Sequence, residues 1–105
     1  MAKVPTDIMD IVKKFIQKAE IDGIHVRRAV LCGSYTNGTF HEHSDIDIAI
    51  VSDNFVGTRF DDNHSLIDSI IATDVRIETH PFRPEDFTPD NLFVKEILKT
   101  GVRIK

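Results

Sequence analysis

The sequence predicts an α/β (α+β) protein built on one small sheet, and three observations carry that expectation. Residues 24–32 and 45–52 are apolar, rich in β-branched side chains and bounded by glycine or polar turns, as strands are. Elsewhere apolar residues recur at spacings of three and four, as on one face of a helix. The two kinds of segment alternate along the chain, which calls for helices layered on a sheet.

Taken in order, Thr6 reads as an N-cap with Asp7 in the first turn of a helix. Its apolar residues are Ile8, Ile11, Val12, Phe15, Ile16 and Ala19, and Gly23 marks its exit. Residues 24–32 (IHVRRAVLC) form a strand that ends at Gly33. The stretch GSYTNGTFHEHS is polar and has room for one or two helical turns only. Residues 45–52 (DIDIAIVS) alternate acid and apolar, then run continuously apolar, the pattern of a central strand. A loop follows, leading into a helix from about Asp61 through Ala72. Residues 74–80 (DVRIETH) alternate as a third strand. Val75, Ile77 and Thr79 share one face, and Asp74, Arg76, Glu78 and His80 the other. Pro81, Pro84 and Pro89 argue against regular structure in PFRPEDFTPD. Residues 91–99 form the last helix, stopped at Thr100-Gly101, before a strand-like tail, VRIK.

A chain of 105 residues, 41% hydrophobic and 29% charged, fits one soluble globular domain over residues 1–105. No apolar run approaches the ~20 residues that cross a bilayer, and the polar start MAKVPTDIMD is not a secretory signal. A single cysteine builds no disulfide framework, so a cytoplasmic setting is expected, with no membrane contact. Net charge −4 argues against wrapping nucleic acid by bulk charge, and no direct nucleic-acid binding is expected.

Three features could carry chemistry. Gly33-Ser34 follows an apolar strand, and Gly38 lies five residues beyond Gly33. A helical turn opening there presents free N–H groups and the Ser34 hydroxyl to phosphate oxygens. Taken alone, a Gly-Ser after a strand is more often an ordinary turn with an N-cap. Asp45-Ile46-Asp47 places two carboxylates on one side of a strand while Ile46 and Ile48 face the core. Adjacent carboxylates repel unless a cation neutralises them, and hard oxygen donors suit Mg²⁺; a solvent-facing polar strand face is the alternative. Glu78, on the polar face of the third strand, joins the pair if the two strands are neighbours. Three carboxylates can hold two metal ions ~3.5–4 Å apart and clamp both oxygens of an in-line phosphoryl displacement.

The combined motif, G33-S34, ten residues, then D45-I46-D47, resembles the nucleotidyltransferase superfamily with the DNA polymerase β-like fold. The short length resembles its minimal nucleotidyltransferase (MNT) members. The resemblance implies a small mixed β-sheet flanked by helices, ATP as nucleotide donor and two Mg²⁺ ions. It implies that Gly33, Ser34 and Gly38 form the nucleotide-binding turn and that Asp45 and Asp47 bind both metals. Glu78 then holds the third-acid position where the acceptor hydroxyl is deprotonated, with Asp74 as the competing candidate. Many relatives carry arginine just before the second glycine, where this chain has Asn37. A neutral amide leaves phosphate charge to Arg76 or another residue.

By the same resemblance the chain transfers AMP to a hydroxyl of a small helical HEPN-type partner, as the antitoxin of a HEPN/MNT toxin–antitoxin pair. The alternatives are a non-catalytic antitoxin that only binds, and a transferase acting on a small hydroxylated molecule. His41, Glu42 and His43, with His64 and His80, lack the spacing and cysteine partners of a zinc site and read as polar residues. Cys32, closing an apolar strand, reads as a buried inert thiol. Phe82, Phe87 and Phe93 read as a cap on the sheet's open face or as a partner-binding edge.

Overall fold

The computed structural model describes residues 4–105. Its elements are helix α1 (Thr6–Ile21), strand β1 (Val26–Cys32), the single turn α2 (Ser34–Asn37) and strand β2 (Ile46–Ser52). Then come α3 (Arg59–His64), α4 (Ile67–Thr73), β3 (Ile77–Phe82), a 3-10 turn (Pro84–Asp86), α5 (Leu92–Thr100) and β4 (Val102–Arg103). The sheet has the order β3-β2-β1-β4 and is mixed: β1 runs antiparallel to β2 and β4, and β2 runs parallel to β3. A parallel pair cannot be closed by a hairpin, so α3 and α4 form the crossover between β2 and β3.

Alternation along the strands divides the core. Ile46, Ile48 and Ile50 of β2 and Ala29 and Leu31 of β1 face the apolar stripe of α1. That stripe is Ile8, Val12, Phe15, Ile16 and Ala19, the residues whose spacing marks the helix in the sequence. The opposite sheet face carries Val30, Cys32 and Ala49 under Ile97 of α5, with Phe82 and Phe87 packed alongside. These two phenylalanines therefore cover the sheet, and their rings meet edge to face at 5.3 Å. Asp47 lies at one end of this second face, one alternation from Ala49.

Several boundaries differ from the expectation. Thr6 is the first residue inside α1, not its cap; the Pro5 carbonyl accepts from the Ile8 and Met9 N–H groups at 3.1 and 3.2 Å. The helix expected from Asp61 through Ala72 is two helices. The Leu66 N–H donates three residues back, to Asn63, a tighter turn that drives the fully buried Leu66 into the core. β1 and β2 start at Val26 and Ile46, short of the expected Ile24 and Asp45.

The third strand is Ile77–Phe82 rather than residues 74–80. Asp74 accepts from the Arg76 backbone N–H at 2.9 Å and turns the chain, leaving Val75 79% exposed. Pro81 lies inside the strand although prolines argued against it. Among the described residues β3 is an edge strand with β2 as its one neighbour, so a missing N–H on the outer side removes no ladder bond. The last helix and the β-tail form where the sequence places them, with Asn91 capping α5 by accepting from Phe93 N and Val94 N.

Candidate active site

The site grows from the end of β1. There the chain turns through Gly33, at φ 75 and ψ −147, into the single turn α2. The Thr36 and Asn37 N–H groups donate to the Gly33 carbonyl, so the helical ladder leaves the first-turn N–H groups of Ser34 and Tyr35 unused. Gly38 closes the turn in the left-handed conformation, its N–H donating to the Ser34 carbonyl. Asn37 is engaged locally: its side-chain oxygen accepts from Thr39 N at 3.2 Å and Thr39 Oγ1 at 2.6 Å.

Gly33 lies directly against Asp47. A Cβ at Gly33 would sit 3.0 Å from Asp47 Cγ and 3.2 Å from its Cβ, and would collide with Oδ2. Only a residue without a side chain lets the turn and the carboxylate share this space. The antiparallel register puts Cys32 opposite Asp47, which fixes that approach.

Glu78 reaches Asp47 from the other side. In the parallel register Asp47 pairs with Glu78, and Ala49 with His80. Glu78 and His80 therefore project on the same face as Asp47. Asp47, Glu78 and His80 each offer one ligand atom, and these atoms all lie within 4.8 Å of one another. His80 Nε2 is 3.0 Å from Asp47 Oδ1, and both side chains are largely buried. Its ring stands edge to face with Phe93 of α5 at 5.2 Å. Cys32, Gly33, Asp47, His80 and Phe93 line an open cavity of about 240 Å³. Burial, and then the charge of Asp47, push the Cys32 thiol up to about 12, so it is held as a neutral thiol.

The other sequence candidates lie apart from this cluster. Asp45 is exposed, just before β2, and does not belong to the converging group. Asp74 pairs with Arg76 at 2.9 and 3.1 Å, and the Arg76 hydrogen bond lowers the Asp74 pKa. Arg76 is thereby neutralised, and it borders a different cavity with Tyr35 and Phe40. His41, Glu42 and His43 are exposed loop residues, as expected. His80, read from the sequence with the other histidines as a polar residue, instead lies in β3 beside Asp47 and Glu78. Its signal was its position two residues after Glu78 on an alternating strand.

The chemistry open to this corner is recognisable. Asp47 and Glu78 are hard oxygen donors that fit Mg²⁺, whereas imidazole nitrogen does not suit it. A glycine turn with unused N–H groups beside them can receive phosphate oxygens. The fold is a small α/β domain with a mixed sheet flanked by helices. The family model described as nucleotidyltransferase domain matches residues 8–104, and the chain belongs to that family. Among solved structures it is similar to a chain in the crystal structure of the toxin-antitoxin MntA-HpeT mutant. The TM-score is 0.61 at 16% sequence identity, covering 89% of this chain and 71% of that one. At that identity the likeness is one of fold, and it bears out the mixed sheet flanked by helices. No curated protein matches the chain. Among the described residues no helix is long and apolar enough to cross a membrane.

Proposed function

We propose that the chain moves AMP from ATP to a hydroxyl of a partner protein. The observation that carries this is the juxtaposition of Asp47 and Glu78, paired in register on parallel strands, against the Gly33-Ser34 turn. The unused N–H groups of the turn and the Ser34 hydroxyl bind the donor's phosphates, Gly38 closing the loop behind them. Asp47 and Glu78, which converge, would hold Mg²⁺, and by family resemblance Asp45, exposed just before β2 and outside that group, would join them on a second ion; the ions when bound offset the charge of the transferring group. The acceptor oxygen bonds the α-phosphorus as the bond to the β-phosphate breaks, and pyrophosphate leaves. Glu78, the most exposed member of the cluster, takes the hydroxyl proton.

A macromolecular acceptor is favoured because the site is open on one side. Leu92 is 80% exposed and Phe93 44% exposed at the start of α5, beside the cavity. A partner that covers them would exclude water from the reaction. By family resemblance that partner is a small helical HEPN-type protein and the pair a cytoplasmic toxin–antitoxin system; the fold it shares with the MntA-HpeT chain supports the setting.

The test is to co-purify the chain with the product of its neighbouring reading frame, add ATP and Mg²⁺, and weigh the partner intact. A gain of about 329 Da per AMP, the mass adenylylation adds, is expected, and its loss in Asp47→Asn. No gain in a tight complex that still neutralises the partner would replace transfer with binding alone.

A further inference from the structure

We propose that His80 is a positioning residue for Asp47: its Nε2–H donates to Asp47 Oδ1, and it does not ligate metal. The proposal rests on the transfer reading for its catalytic consequence, and on geometry alone for the hydrogen bond.

The argument starts from the ring's two nitrogens. Nε2 is 3.0 Å from a carboxylate oxygen, and an ionised carboxylate only accepts, so the proton of this contact belongs to Nε2. Nδ1 is buried and has no hydrogen-bond partner among the described residues. A proton there would be a buried donor with no acceptor, a costly arrangement. The neutral ring protonated at Nε2 leaves only a bare lone pair in that position. Both nitrogens therefore select the same tautomer.

The geometry of both ring nitrogens keeps His80 out of the first coordination sphere of a metal. A histidine that ligates through one nitrogen ordinarily donates its other N–H to a carboxylate, carbonyl or water. Here ligation through Nε2 would move the proton onto Nδ1, where no described residue accepts it, and Nδ1, although its lone pair is bare, is sealed from the open cavity in which an ion would sit. His80 is thus close to Asp47 and Glu78 without sharing their role.

Its role follows from where Asp47 is held. The carboxylate is fixed at both oxygens: Oδ1 by His80, and Oδ2 by its packing on the Gly33 turn. His80 is itself fixed, by its place in β3 two pairs beyond Glu78 and by the edge of Phe93. A carboxylate held in this way presents Oδ2 beside the turn. The Glu-x-His spacing on β3 therefore delivers two services on one strand face, an acid and the donor that orients its neighbour.

Two measurements on the wild-type chain decide the tautomer and the ligation. Two-bond ¹H–¹⁵N NMR of the ¹⁵N-histidine-labelled protein should show the neutral His80 ring protonated at Nε2; protonation at Nδ1 would overturn the proposal. Pulsed EPR with Mn²⁺ as probe should show no directly bound nitrogen, and a ¹⁴N coupling lost in His80→Gln would likewise overturn it. In the variants, His80→Phe should weaken Mn²⁺ binding and lower kcat by about 10–100-fold, as for other outer-shell partners. His80→Gln, which returns an N–H donor, should recover both to within a few-fold, whereas equal loss in the two variants would refute positioning. A wild-type chain that transfers no nucleotide would sink the transfer reading, while the NMR and EPR results would still decide His80.

Discussion

Adding one methyl group at Gly33 should injure the fold and the site together. The turn holds Gly33 at φ 75 and ψ −147, where an L side chain is strained by about 1–3 kcal/mol. The new Cβ would also press on Asp47, 3.0 Å from Cγ, and neither neighbour can yield freely. Asp47 is fixed by β2 and His80, and Gly33 by β1, so overpacking adds about 1–3 kcal/mol. Gly23 supplies the control. It too has positive φ, at 98, but a Cβ there meets nothing within 4 Å, so Gly23→Ala carries strain alone. Urea and thermal unfolding should therefore place Gly33→Ala below Gly23→Ala by at least ~1 kcal/mol, or ~4 °C in Tm for a domain of this size. Trimming the opposing carboxylate should relieve the collision. The Gly33→Ala/Asp47→Ala double variant should be more stable than the two single losses predict, with a coupling of ~1–3 kcal/mol. Equal unfolding of the two glycine variants, or strict additivity in the double variant, would refute the close approach on which the site is built.

Two further outcomes follow from the same geometry. Glu78→Gln should lower the nucleotidyl-transfer rate by about 10²–10⁴-fold, while Asp74→Asn, which only breaks the pair with Arg76 at 2.9 Å, should stay within a few-fold of the parent. The reverse order would hand the third-acid role to Asp74. The Cys32 thiol should react with a disulfide reagent at about pH 8 far more slowly in the native chain than in denaturant, and rapid native labelling would contradict its burial. Because folding raises this thiol from 9.0 to about 12, the unfolded chain releases the proton first, and the contribution to stability falls as pH rises across that window.

The sequence by itself determined the elements and the chemistry of single strands. The stripe from Ile8 to Ala19, the turn at Gly33-Ser34 and the acid–apolar alternation into β2 are local patterns, set by side-chain periodicity and glycine's backbone freedom. Tertiary structure decided how those strands meet. No periodicity states that β3 lies parallel to β2 with Glu78 opposite Asp47; that register follows from burying Ile46, Ile48 and Ile50 against α1, and a slip of one residue would turn Glu78 away. The edge position of β3 admitted Pro81 to a strand, and the Asp74–Arg76 turn removed Asp74 from the face it shared with Glu78 on paper. His80 shows the same division. Its alternation with Glu78 is written in the chain, but its function depends on an Asp47 oxygen 3.0 Å away and 33 residues earlier, a contact that only packing creates.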